Sequence, residues 1–449
     1  MATGFALWRT TMKDALLQIS ARQLRNRMAA GAVSAVDVTR ACLTRIRERE
    51  DIVQAWAWLD EKAALDAARA RDAQRDAGEP LGPLFGVPVG VKDVIDTGGI
   101  PTENGCRSDA GRIPEQDASL VRKLRQAGAI VLGKTVTTEL AFLHPSRTRN
   151  PHNPEHTPGG SSSGSAAAVA DGMVPLAIGT QTGGSVNRPA AFCGVVGLKP
   201  TFDTISRSGV LAQSHSLDTV GVFARDPDSA ALLLSALAAR PSQPLKSFAA
   251  DPVAPLGPDA VSFGFIKLPG WERADIEMRE RVKQFCAMLG SRMVSIACPE
   301  EFHMAAHQRA LVNAAEMAHH FGRYANDTHA ADLGEETSDA IRQGREISAP
   351  DYLAALDYQS RLSGMVNAIF QQCDIIVCPP CLGAAPAGLA STGDSIFNGI
   401  WTMAGTPSIN LPYGTAKNGL PLGVQLVARR GSDVRLLKAA HWIWLNYLH

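Results

Sequence analysis

The chain has 449 residues, 45% hydrophobic and 20% charged, which suits a soluble globular protein with a large core. Lysine plus arginine equals aspartate plus glutamate at 44 each, so no global charge bias points to nucleic acid. No uncharged apolar run reaches the ~18 residues of a membrane span, no secretory leader pattern is seen, and eight cysteines in so long a chain do not make a disulfide framework. A cytoplasmic protein with free thiols, bound neither to membrane nor to nucleic acid, is expected.

In chain order, Ser20 with Gln23 forms a capping-box pattern, and Gly31 closes the helix that it opens. Ser34 with Asp37 begins a second helix, with Val38, Cys42 and Ile46 on one face. A strand is expected within 53–59, then an Ala-rich helix from Glu61 to Ala77 that stops at Gly78. The apolar run Leu84–Val91 reads as a buried strand delivering Lys92 and Asp93 to its end, where open α/β sheets place ligands. Alone, a lysine after a strand is most simply a solvated residue. Leu120, Val121, Leu124 and Ala127 mark a helix, and AIVLG the strand after it. Gly128–Thr135, GAIVLGKT, formally matches a phosphate loop. Its spacers Ala129, Ile130, Val131 and Leu132 read as the strand itself, so nucleotide binding is not expected there.

Arg149–Thr201 organises the chain. Two Gly-Ser loops, GGSSSGS at Gly159–Ser165 and TGGS at Thr182–Ser185, flank a predicted helix, Ser162–Ala170, and a predicted strand, Val174–Ile178. Such loops either fill tight turns or set a hydroxyl nucleophile beside close-approaching backbone N–H groups. Ser185 opens a helix-like turn containing Arg188 and Pro189, Val195–Leu198 returns to the sheet, and Asp226–Ala239 is helical. Pro241–Pro258 reads as a surface connection, Val261–Ile266 as a strand and Ile276–Leu289 as a helix. Residues 305–370 read as a helical lobe over one sheet edge, Asp374–Cys378 and Pro421–Ala428 as core strands. The last helix, Asp433–His449, puts Leu437, Ala440, Trp444 and Leu448 on one face.

Metal chemistry finds little support. Cys378 and Cys381 form CPPC, half of a zinc site without a second half, and they leave a strand where a redox motif would open a helix. His319 and His320 follow Glu316, but HExxH is absent. His152 and His156, the histidines nearest the serine loops, are explained by loop polarity.

Lys92, GGSSSGS and GTQTGGSVNRPA together resemble the amidase signature family. The likeness extends through VPVGVKDVID, AGTPSINLP and GLPLGVQLVA, and is weakest between 240 and 370. It implies an α/β fold, one large mixed sheet with helices on both sides, in a single domain over 1–449. Within it, 1–80 would be a mainly helical N-terminal part, 81–240 the catalytic core, 241–370 a variable helical lobe and 371–449 the return to the sheet. The resemblance further implies a Ser–cis-Ser–Lys triad with Ser185 as nucleophile, Ser161 as the cis-Ser proton relay and Lys92 as base. It implies an oxyanion hole at Thr182, Gly183, Gly184 and Ser185, and substrate contacts from Arg188, Gln181, Ser162 and Gly160. No cofactor or metal is implied, and a homodimer is expected.

The chemistry stands on its own as well. A serine hydroxyl needs an adjacent base, and a lysine of ordinary pKa, near 10.4, serves as one only if burial stabilises its neutral form. TQTGGSVNRPA resembles the malonamidase-type branch, in which an arginine at this place meets a small substrate's carboxylate. Relatives such as the glutamyl-tRNA amidotransferase A subunit begin the loop SDTGGS and carry arginine where this chain has Asn187. Arg188 therefore either recognises a carboxylate or has a structural role. The expected activity is hydrolysis of a small amide to acid and ammonia or amine. Alternatives are a glutaminase subunit feeding ammonia to a partner, ester, carbamate or urea-like substrates, and a silent scaffold.

Overall fold

The computed structural model describes residues 16–240, 242–250, 261–325 and 332–448, and among them eleven strands form one mixed sheet. In chain order these are β1 (Trp56–Leu59), β2 (Pro88–Lys92), β3 (Ile130–Thr135), β4 (Leu176–Gln181), β5 (Val196–Lys199) and β6 (Thr219–Ala224). They continue as β7 (Phe263–Ile266), β8 (Met293–Ile296), β9 (Ile375–Cys378), β10 (Ser408–Thr415) and β11 (Pro421–Ala428). The sheet order is β1-β3-β2-β4-β6-β5-β10-β11-β9-β7-β8. β2 runs parallel to both β3 and β4, while β6 is antiparallel to β4 and β5.

At the middle of the sheet, side-chain alternation sorts the strand residues into two clusters. Leu176 and Ile178 of β4 join one cluster with Val220 and Val222 of β6, whereas Ala177 and Phe223 join another. Successive strand residues point to opposite faces, so at β4 and β6 these two sets of side chains lie on opposite sides of the sheet. On the Ala177 face the strands carry glycine where helices approach. A Cβ at Gly179 would stand 2.5 Å from Ser162 Oγ, and one at Gly221 would stand 2.8 Å from Val186 Cγ2. Both serine-bearing segments therefore sit almost directly on the backbone of the sheet.

The predicted helix starts are found where side-chain caps were legible. Ser20 and Gln23 complete a capping box for Ala21–Ala29, and Ser34 accepts from the Asp37 amide at the head of Ala35–Val53. GAIVLGKT forms β3 and the turn before it, not a phosphate loop. Three strands lay outside the sequence reading. β6 has Gly221 inside an otherwise buried run, β8 is a short edge strand with Val294 and Ser295 exposed, and β10 leaves the core for solvent partway.

The predicted connection 241–258 includes the helix Gln243–Ala250, anchored by buried Leu245, while 251–260 lie outside the described residues. The last helix ends at Ile443, and a wider turn follows over Trp444–Leu448. The helical lobe is built of Ala305–Phe321, Glu335–Glu346 and Ala349–Ile369. Its main packing against the rest of the chain is through the helix Ile396–Met403 beside the serine loops, not along an edge strand.

Candidate active site

Lys92 ends β2 between its two parallel neighbours, fully buried, because Val89 and Val91 fix the strand in the core. Its Nζ lies 2.8 Å from Ser161 Oγ and 2.8 Å from Thr180 Oγ1. Burial lowers its pKa to about 7, with the Asp218 charge opposing the shift. A substantial neutral fraction therefore exists near neutrality, as a general base requires.

Ser161 follows a left-handed Gly159 (φ 81°) and a cis Gly160–Ser161 peptide. The neighbouring serines hold this segment to the sheet. Ser162 Oγ donates to the Thr180 carbonyl and accepts from the Thr180 amide, both at 3.2 Å. Ser163 Oγ donates to Gly159 O at 2.8 Å and Ser165 Oγ to Ile178 O at 2.9 Å. Ser162 is thus wholly buried against backbone, away from the cavity at Ser185.

Thr182, Gly183, Gly184 and Ser185 line a cavity of about 200 Å3. Among the described residues, none of their backbone N–H groups donates to a protein acceptor. Four uncommitted amides beside a serine hydroxyl form the arrangement that an oxyanion requires. The loop is braced from several sides. Thr182 Oγ1 donates to Asp218 at 2.6 Å, and Thr402 Oγ1 donates to the Gly183 carbonyl at 2.8 Å. Asp218 in turn accepts from the Gln213 and Ser214 amides, and burial raises its carboxyl to about 6. Gln181 Oε1 accepts from the Val186 and Asn187 amides and its Nε2 donates to Thr402, so its amide braces the loop and heads the helix Asn187–Cys193.

Arg188 joins the two serine segments. Its Nη2 donates to the Gly160 carbonyl at 2.7 Å and to Thr392 Oγ1 at 3.1 Å, and its amide donates to Gly184 O. It also lines the cavity, and its Nε is buried without a partner. Structural tethering and a cavity-facing position coexist in one residue. Gly160 enters through its carbonyl and its lack of a side chain, since a Cβ there would lie 2.7 Å from Thr392 Cγ2.

Several site residues escaped the sequence reading. Thr180 and Asp218 act across strands, which local pattern does not reveal. Arg309, on the helix Ala305–Phe321, borders the same cavity from the weakly legible lobe. Cys378 and Cys381 are buried, separate thiols, with Cys378 Sγ accepting from Gln425 Nε2 and Cys381 bonded to Gly383 O. His319 and His320 stack edge to face on the lobe, and among the described residues no group of His, Cys, Asp and Glu is arranged to hold a metal.

Against known proteins, a family model described as Amidase matches residues 37–437. The chain is 36% identical to the A subunit of glutamyl-tRNA(Gln) amidotransferase from Salinispora arenicola, covering 95% of this chain and 96% of that protein. It is 32% identical to the protein of that name in Trichormus variabilis, over 94% of this chain and 96% of the other. Among solved structures, a native peptide amidase from Stenotrophomonas maltophilia superposes with a TM-score of 0.83 at 30% identity, covering 95% and 96% of the two chains. A chain from a vestigial protein complex, described as revealing the origins of an s-triazine catabolic enzyme, superposes with a TM-score of 0.88 at 27% identity, covering 96% and 99%.

Proposed function

The chain belongs to the amidase signature family and is an amide C–N hydrolase, and from that premise we propose that Ser185 attacks the carbonyl of a small amide to give an acyl-enzyme. The observation that carries this reading is the wholly buried Lys92 held 2.8 Å from Ser161. Neutral Lys92 Nζ accepts the Ser161 proton as Ser161 Oγ takes the proton of Ser185. The amides of 182–185 receive the oxyanion, and one such donor is worth about 3–4 kcal/mol in comparable sites. The relay then returns a proton to the leaving nitrogen, and water attacks acyl-Ser185 along the same path.

Gln181, Ser162 and Gly160 enter this reading as supports of the loop rather than as substrate ligands. Arg188 tethers the two loops and faces the acyl side. The test is ammonia release from propionamide by the purified chain without partner or ATP, with trapping of acylated Ser185 by mass spectrometry. Release that survives Ser185→Ala would overturn the nucleophile assignment.

A second reading has specific support. Curated relatives at 31–36% identity over 94–95% of the chain carry the name of an amidotransferase subunit, which favours a glutaminase working with a partner over a free-standing enzyme. Against it stand Gln181 and Asn187 in the nucleophile loop. L-glutamine in the same assay separates the two. Glutamine turnover that rises on adding a copurified partner selects the amidotransferase component, and partner-independent turnover of propionamide selects the free-standing amidase.

A further inference from the structure

We propose that Glu316 is a positioning residue for the reaction: from the helical lobe it fixes the 213–218 turn, through that turn Asp218, and through Asp218 both Thr182 and Lys92. This rests on the reading of Lys92 as the base.

Glu316 is buried on the helix Ala305–Phe321, and its carboxylate accepts four hydrogen bonds from neutral donors. Oε1 takes Ser216 Oγ at 2.5 Å and the Tyr352 hydroxyl at 2.7 Å, while Oε2 takes the Ser216 amide at 3.0 Å and Ser214 Oγ. All but the Tyr352 bond come from the turn. Burial opposes the charge, yet the bonds from Ser214, Ser216 and Tyr352 outweigh it and hold the carboxyl below its ordinary range. Asn313, on the same helix face, accepts from Gln213 Nε2 at 3.1 Å, and Gln359 of the helix Ala349–Ile369 donates to the Ser216 carbonyl at 3.3 Å. Two lobe helices thus grip one turn. The first of them also lines the cavity at Ser185 through Arg309, Ala310, Asn313 and Ala314.

Held in this shape, the turn aims the Gln213 and Ser214 amides at Asp218 Oδ2, at 2.8 and 2.9 Å, and Oδ1 is left for Thr182 Oγ1. The charged groups facing Asp218 are Lys92 from β2 and Arg207 from the loop before the turn. Those facing Glu316 are Tyr352 and His320, with His215 acting on His320. Asp218 is the charge that acts on Lys92, so Glu316 reaches the base only by way of the turn. The sign follows. Burial raises the Asp218 carboxyl to about 6, and the two turn amides limit that rise. A turn released by loss of Glu316 withdraws them, Asp218 takes up a proton near neutrality, and Lys92 loses the charge that supports its ammonium form.

The test compares wild type, Glu316→Gln, Asp218→Asn and the double variant, each as the full chain. The Lys92 pKa is read by NMR titration of protein labelled with 13Cε-lysine, the resonance being assigned with Lys92→Met, and kcat and KM are measured with propionamide. Glu316→Gln should lower the Lys92 pKa in the same direction as Asp218→Asn, and the double variant should lie no lower than Asp218→Asn alone. Its kcat should fall about 10- to 100-fold with KM little changed. Tyr352→Phe, which removes the one donor outside the turn, should leave the Lys92 pKa in place. Ser214→Ala combined with Ser216→Ala strips the turn of both hydroxyl donors while keeping the carboxylate, and should repeat the shift even if Glu316→Gln does not fold. A Lys92 pKa indifferent to these changes, or a shift that adds in full to that of Asp218→Asn, would overturn the proposal. The titration needs no turnover, so a coupled Lys92 shift without propionamide hydrolysis would support the positioning role and count against the amide reading. Hydrolysis with an uncoupled Lys92 would do the reverse.

Discussion

Lys92 concentrates the chemistry in one titration. Its pKa, lowered to about 7, means that the proposed base is protonated below that pH and neutral above it. The kcat/KM of the chain should therefore rise with pH through about 7 and then level off, as read from a pH–rate profile with a neutral amide. Asp218 opposes the lysine's downward shift, so its negative charge favours protonated Lys92. Asp218→Asn removes that charge while keeping an acceptor for Thr182 Oγ1, and the acid limb should move to lower pH. A limb that stays in place or moves up would show that Lys92 is not the titrating base. The lysine, both serines and the TGGS loop were legible in the sequence because they sit in dense local motifs. Thr180, Asp218 and Arg309 were not, because each acts from a different part of the sheet or lobe, and a lone threonine, aspartate or arginine carries no local pattern.

At the level of elements, glycine decides how closely the serine loops approach their supports. A Cβ at Gly184 would lie 2.4 Å from Asn398 Oδ1 and 2.8 Å from Ser395 Cβ. Gly184→Ala should displace the 182–185 loop and, if its amides receive the oxyanion as proposed, lower kcat by about 100-fold or more, with the far-ultraviolet circular dichroism unchanged. At Gly164 the obstacles are backbone, with Ala55 O at 2.2 Å and Val136 N at 2.4 Å. Gly164→Ala should cost about 3 kcal/mol in urea unfolding, since neither atom can rotate away. Most helices were legible from their caps and periodic faces, as with Ser20, Ser34 and the Ile276–Leu289 helix. β6 and β8 were not. Gly221 breaks the apolar run of one, and the other is a short edge strand whose exposed middle leaves no alternation.

For the whole molecule, the mixed sheet with helices on both faces was legible as a class, whereas its order was not. The path from β2 through β4 to β6 and β10 depends on pairings between distant segments that no single stretch encodes. Partnership belongs to this scale too. A homodimer is the expectation for the isolated chain, and light scattering behind size exclusion should give twice 47.7 kDa. A monomer that enlarges only when a different protein is added would instead favour the amidotransferase reading.

Arg188 grips the Gly160 carbonyl, Thr402 grips the Gly183 carbonyl, and Lys92 reaches Thr180, so the site closes only when partners 28, 219 and 88 residues apart have met. Contacts of such sequence separation form late and slowly in folding. Lys92 and Thr402 lie on opposite sides of the helical lobe in the chain, so a fragment ending before that lobe would hold Lys92, Ser161 and Ser185 without the brace on Gly183. During refolding, recovery of amide hydrolysis should therefore trail recovery of helical signal, making catalysis a clock for the completed topology.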